Sequence, residues 1–187
     1  MDIFSAFGLS ASAGLNAYIP LLVVGLLARY TSAIKLTPPW DTLAEPWVLL
    51  VLAVLLLIEI LADKIPAVNH VNDVLQTLVR PVAGAIVFAA SSHIISDIHP
   101  ILAMICGLFV AGAVHGVKAL AVRPAVTATT GGTANPIVST AEDILATVLS
   151  IIAVLIPIVL GALICVAAAL AIWLIWRRIN REARTAR

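Results

Sequence analysis

The sequence predicts an all-α fold: a polytopic membrane helical bundle of about six spans, forming a single transmembrane domain over residues 1–187. Three observations predict it. The 187 residues are 62% hydrophobic and 11% charged, with a mean hydropathy of +1.12, whereas soluble domains carry about 25% charged residues. Apolar runs recur along the chain at the length of about 20 residues that a hydrocarbon core of about 30 Å requires of a helix. The basic residues are unevenly placed, five of the eleven Lys and Arg falling in the last eleven positions.

The first span covers Ile3 to Tyr30 and is longer than one crossing needs. Its stretch GLSASAGLNAYIP is small and polar and closes on Pro20, which reads as a broken or close-packed helix, because small residues let membrane helices approach closely. Asp2 and the lack of a basic leader argue against a cleaved signal peptide. Ala33 to Pro46 is a loop punctuated by Pro38, Pro39 and Asp41, with Trp40 and Trp47 suited to an interface.

The second span starts at Trp47 and ends near Pro66. Glu59 then lies about two turns inside the inner boundary, with Asp63 one turn further along the same face, while Lys64 snorkels outward. Ala67 to Val79 is too polar to cross. Val68, Val71, Val74, Leu75 and Leu78 recur at helical spacing among Asn69, His70, Asn72, Asp73 and Gln76, the pattern of an amphipathic interfacial helix.

Arg80-Pro81 opens a short third span, and Asp97, His99 and Pro100 make the turn after it. The fourth runs from Ile101 to about Leu120, with Gly107, Ala111, Gly112 and Gly116 as a packing face and His115 and Lys118 on one side of its end. Ile144 to Trp176 is too long for one upright span. Pro157 and Gly161 break it into a tight hairpin, a single long tilted helix being the alternative. Cys106 and Cys165 lie inside apolar runs and read as small buried hydrophobes.

Charge placement orients the bundle. With both termini cytoplasmic, Lys64, Arg80, Lys118, Arg123 and the basic tail 177–187 fall inside, leaving Arg29 and Lys35 outside, as the positive-inside rule asks. Two faint internal matches pair LVRPVAGA with AVRPAVTA and SASAG with TATTG; transporters often contain such duplicated units.

The stretch from His115 to Asp143 lies between apolar segments yet carries most of the polar chemistry of the second half. Hydrocarbon does not tolerate open polar backbone unless protein or a water-filled cavity surrounds it. The residues TATTGGTANP therefore form an interrupted Thr/Gly-rich segment that is either an aqueous loop or the lining of a buried site. In the second case Thr127, Thr129, Thr130, Gly131, Gly132 and Asn135 meet the Glu59/Asp63 face in a polar cavity. A helix starting near Pro136 aims its positive end at an anion. Arg80, His115, Lys118, Arg123, Glu142 and Asp143 complete the candidate set for binding a substrate or ion.

The stretches SAGLNAYIPLL, EILADKIPAVNHVNDVLQTLVRPVAGAI and HGVKALAVRPAVTATTGGTANPIVSTAEDILA, followed by Pro157, together resemble a bacterial family of small membrane proteins, domain of unknown function 4126. The resemblance covers most of the chain, with Val117 departing from the family's small residue between His and Lys-Ala. It implies a multi-pass inner-membrane protein and no established activity.

Function is therefore argued from the residues. Transport of a small solute or ion through a polar cavity is the first reading, and Glu59→Gln is then expected to abolish activity while leaving membrane expression intact. An intramembrane lipid-phosphate enzyme would use Arg80, Lys118 and Arg123 for phosphate and His115 as acid or base. No HExxH, CxxC or Gly-x-Ser-x-Gly pattern supports an enzyme, and no catalytic residue or cofactor is assigned. A non-catalytic scaffold, with its ionisable groups paired to one another, is the third. Membrane lipid is the expected surrounding, a homo-oligomer is compatible with the small-residue faces, and nucleic acid is not an expected partner, because the basic tail suits anionic lipid.

Overall fold

The computed structural model describes residues 3–32, 34–63, 66–92 and 98–156, together with helical residues at 166–170, 173 and 176–177. Lys64, Pro157, Gly161, Cys165 and the tail 178–187 lie outside the described residues, as do the side chains of His70 and Asp73. The described chain is all-helical: α1 (Ile3–Leu15), α2 (Tyr18–Tyr30), a 3-10 turn (Trp40–Ala44), α3 (Pro46–Ala62), α4 (Pro66–Ser92), α5 (Pro100–Val117), a π-helical turn (Lys118–Val122), α6 (Arg123–Thr130) and α7 (Asn135–Leu155). Three of these stretches are long and apolar enough to cross a membrane: 74–91 within α4, α5 continued through α6, and α7.

The bundle is built around α1. Ser5, Ala6, Gly8, Leu9, Ser10, Ser12, Ala13 and Gly14 are all buried, so this helix has little surface left for lipid. Its small side chains let three neighbours close in. A Cβ on Gly14 would come within 2.6 Å of the Ala111 carbonyl oxygen, and Gly84 and Gly107 of α4 and α5 touch backbone to backbone. Serine hydroxyls are satisfied inside this packing. Ser10 donates to the Gly84 carbonyl at 3.0 Å, and Ser12 donates to the Ala146 carbonyl at 2.8 Å. The outward surface is correspondingly apolar, with Leu50, Val54, Leu57, Ile58 and Leu61 of α3 exposed while Leu49, Leu52 and Glu59 are buried.

The expected single span over Ile3–Tyr30 is instead two antiparallel arms. Phe7 of α1 stacks edge-on against Phe88 of α4, with centroids 5.1 Å apart, and Gly25 of α2 lies against Leu43 and Leu49. Both arms therefore run away from a tip at Asn16 toward the bundle end that holds Leu49 and Phe88. Ile3 lies at that end, opposite the end holding Lys118 and Arg123. Each arm is 13 residues, about 20 Å long at 1.5 Å per residue, and thus shorter than a hydrocarbon core.

Two further boundaries differ from the sequence reading. The expected interfacial helix 67–79 and the third span are one continuous helix, α4, with Pro81 inside it. The apolar spacing through Val74, Leu78 and Val82 stays in register across Arg80-Pro81, and all three side chains are exposed. The fourth span likewise continues beyond Leu120 as a helical rod reaching Thr130. The break expected at Pro157 lies outside the described residues. Cys106 is a partly buried free thiol packed against the Ala6–Phe88–Ala103 cluster.

Candidate functional site

The ionisable side chains of the candidate set land at one end of the bundle, around the tip of the α1–α2 hairpin. Glu59, Asp63, Arg80, His115, Lys118, Arg123 and Glu142 are all buried there. Each sits where it does for a local reason. Glu59 and Asp63 are one turn apart at the end of α3. Arg80 points inward from the middle of α4. His115 and Lys118 share a face of α5.

Arg123 would diverge from Lys118 on a regular α-helix, where five residues turn through about 500° and end about 140° off the starting face. The π turn prevents this. The Arg123 N–H donates to the Lys118 carbonyl, five residues back, and this wider turn stacks the two cations on the same side.

The charges are linked in two chains. In the first, Arg80 Nη2 donates to Glu59 Oε1 at 2.9 Å, and Arg80 Nη1 lies 3.2 Å from His115 Nδ1. A guanidinium can only donate, so Nδ1 is the acceptor; the ring hydrogen is then on Nε2, which donates to Thr77 Oγ1 at 3.1 Å. In the second, Lys118 Nζ is 2.7 Å from Glu142 Oε2. Arg123 Nη2 is 3.6 Å from that same oxygen and donates to Asp63 Oδ2 at 3.2 Å. Asp63 also accepts from Ser139 at 2.7 Å and from Asn72 at 2.8 Å.

The hairpin tip is held from both sides. Where α1 ends, the Leu15 carbonyl accepts from Lys118 Nζ at 3.2 Å. Where α2 begins, Asn16 Oδ1 accepts from the N–H groups of Tyr18 at 3.0 Å and Ile19 at 3.1 Å. The Asn16 amide in turn donates to Asp143 Oδ1 at 2.9 Å. A cation thus faces the negative end of one helix dipole and a carboxylate stands behind the positive end of the other, the favourable arrangement at both termini.

Two grooves flank α7 and reach this tip. One, of about 540 Å³, lies between α5, the π turn and α7, with Lys118 and Glu142 in its wall. The other, of about 550 Å³, lies between α2, α3 and α7, with Asp143 in its wall. Adjacent in sequence, Glu142 and Asp143 therefore face different grooves.

The Thr/Gly-rich segment does not join the cluster. Thr127, Thr129 and Thr130 are exposed on α6. Thr129 donates to the Ala125 carbonyl at 2.9 Å and Thr130 to the Val126 carbonyl at 2.7 Å, so these hydroxyls serve their own helix. Gly131 and Gly132 take positive φ values of 62° and 88° in the turn before α7, and the Asn135 amide lies 3.4 Å from Thr127 Oγ1. What meets Asp63 instead is Ser139 and Asn72, while Thr77 bonds His115 and Asn16 bonds Asp143. Sequence reasoning passed over Asn16; the signal available was a lone amide in an apolar run four residues before Pro20. Among the described residues, no three His, Cys, Asp or Glu side chains converge as metal ligands.

A family model described as a domain of unknown function, DUF4126, matches residues 3–177. The chain belongs to the DUF4126 family. It is thus a multi-pass helical membrane protein whose family carries no assigned activity, as the resemblance implied. No curated protein and no solved structure matches this DUF4126 chain.

Proposed function

We propose that the protein moves a small solute or ion across the membrane, and that the tip of the α1–α2 hairpin is where the solute is handled. The observation that carries this reading is irregular backbone deep in an apolar bundle, secured by Lys118 on one side and by Asn16 and Asp143 on the other. Interrupted helices of this kind, with ionisable groups at their ends, build the binding sites of many transporters. Grooves approach the tip from both sides of α7, which gives a solute two routes to one place.

In this reading the charged end of the bundle faces the cytoplasm, because it holds Arg80, Lys118 and Arg123 while Arg29 and Lys35 lie toward the other end. The hairpin then enters from the outer side without crossing. Helices α3, α4, α5 with α6, and α7 cross in turn. Ile3 lies outside in this reading, whereas charge placement in the sequence alone puts both termini in the cytoplasm.

The test is electrical. Protein reconstituted in vesicles is challenged with panels of ions and small solutes under an imposed pH gradient, and charge movement is recorded on a supported membrane. A current that depends on solute and protein is expected. Silence across ion, amine, acid and sugar panels, from protein that remains folded, sinks the reading.

A second reading, a non-catalytic scaffold, is favoured by one specific observation: the buried cations and carboxylates are paired with one another while the Thr/Gly segment bonds its own helix. The lipid-phosphate reading has less support, since Arg80, Lys118 and Arg123 are each already held by a carboxylate.

A further inference from the structure

Among the described side chains the cluster carries one more carboxylate than cation, and the extra one opens on a single groove. Three cations, Arg80, Lys118 and Arg123, are matched by three carboxylates, Glu59, Glu142 and Asp63, each within 3.6 Å of a partner. Asp143 is a fourth carboxylate. Among the described residues its side chain receives one hydrogen bond, from the neutral Asn16 amide, and no cation lies within ion-pair distance. A lone carboxylate in such surroundings is costly unless a proton or a cation joins it.

The space beside it decides what kind of cation fits. The groove between α2, α3 and α7 is about 550 Å³, inside the range of about 300–1,000 Å³ common for small-molecule sites. Apart from Asp143, Thr140 and Thr147, its walls are aliphatic, with Leu22, Leu26, Leu56 and Val148 among them. The two threonine hydroxyls donate to the carbonyls of Pro136 and Asp143, both at 2.8 Å. A bare metal ion asks for several converging oxygens. An organic ammonium or phosphonium with an apolar body asks for one carboxylate and greasy walls.

We infer that the α2–α3–α7 groove binds lipophilic organic cations, with the Asp143 carboxylate as their counter-ion and the aliphatic walls holding their apolar body. This names the substrate class for the transport reading and rests on it for its physiological meaning. Asn16 orients the carboxylate and ties its occupancy to the hairpin tip, since the same amide side chain caps α2. A proton and an organic cation compete for Asp143, so one displaces the other.

The experiment uses the full chain in phosphatidylcholine nanodiscs, with radiolabelled tetraphenylphosphonium as probe and empty nanodiscs as the partition blank. Saturable binding is expected, insensitive to millimolar sodium or potassium. Asp143→Asn keeps the shape and is expected to weaken binding about 10- to 100-fold, the scale of a unit charge pair about 6–10 Å apart at an effective dielectric constant of about 20. Val148→Trp fills the groove from an exposed wall position and is expected to do the same without touching the carboxylate.

Absence of saturable binding, undiminished binding by folded Asp143→Asn, or displacement by sodium overturns the inference. Should Asp143→Asn fail to fold, unchanged binding by Val148→Trp overturns it instead. Binding without any vesicle current counts against transport and leaves the site standing; current with other solutes but no phosphonium binding removes this inference alone.

Discussion

Lys118 and Leu15, 103 positions apart in the chain, meet where an ammonium nitrogen lies 3.2 Å from a carbonyl oxygen at the end of a buried helix. The same nitrogen is 2.7 Å from Glu142. One cation therefore neutralises a carboxylate and closes the open end of α1; its removal leaves the Leu15 carbonyl without this donor and Glu142 with its more distant cation, Arg123 at 3.6 Å.

Lys118→Met is expected to destabilise the protein by about 3 kcal/mol, the lower end of the usual cost of breaking a buried ion pair, because Arg123 stays beside Glu142. The double variant Lys118→Met with Glu142→Gln should recover much of this loss, because no uncompensated carboxylate remains. Thermal unfolding in a mild detergent reads both. A double variant no more stable than the single one would show that Lys118 acts chiefly through Leu15.

Glu59→Gln now carries a different expectation from the one the sequence offered. Glu59 and Arg80 are 2% and 1% exposed and 2.9 Å apart, so removing the carboxylate leaves a buried guanidinium unpaired. A loss of about 3–5 kcal/mol should lower the yield of folded protein in membranes, measured by size-exclusion of a fluorescent fusion. Full yield with lost transport would restore the functional reading of Glu59.

Gly107→Ala is expected to destabilise by about 1–3 kcal/mol, as overpacking does. A Cβ there would strike the Gly84 carbonyl and come within 2.6 Å of the Phe88 Cβ. Gly116→Ala is the control, since nothing lies within 4 Å of its added carbon. Equal melting temperatures for the two variants would contradict the close α4–α5 contact.

Thr129→Val and Thr130→Val should stay within about 0.5 kcal/mol of the parent, as surface substitutions usually do, and should leave any transport current unchanged. Their hydroxyls bond the helix that carries them. A large drop in current with an unchanged melt would bring the Thr/Gly segment back into the site.

The charged cluster was legible in the sequence for a simple reason. Ionisable residues inside apolar runs have few places to go and gather with one another, so Glu59, Asp63, Arg80, Lys118, Arg123 and Glu142 could be grouped before any coordinates were known. The hairpin was not legible. A run of 28 residues folded back on itself carries the same hydropathy as a single long span, and the fold-back depends on Asn16, whose side chain caps the second arm. The Thr-rich stretch misled because a hydroxyl that returns its hydrogen to the preceding turn looks, in sequence, the same as one aimed at a ligand. The π turn gave no compositional sign at all.

The partners that secure the hairpin tip are Lys118 and Asp143, and Ser12 within α1 is held by Ala146 and Ser150. All of them are synthesised more than 100 residues later. Arms of about 20 Å are too short to be retained as crossings by length alone, so this segment must wait for later ones before it is fixed in its place. Until α5 and α7 arrive, Asn16 and the Leu15 carbonyl must remain near water or under the protection of the insertion machinery. Placing this hairpin is thus a docking problem: its last hydrogen bonds close only when α5 and α7 stand beside it.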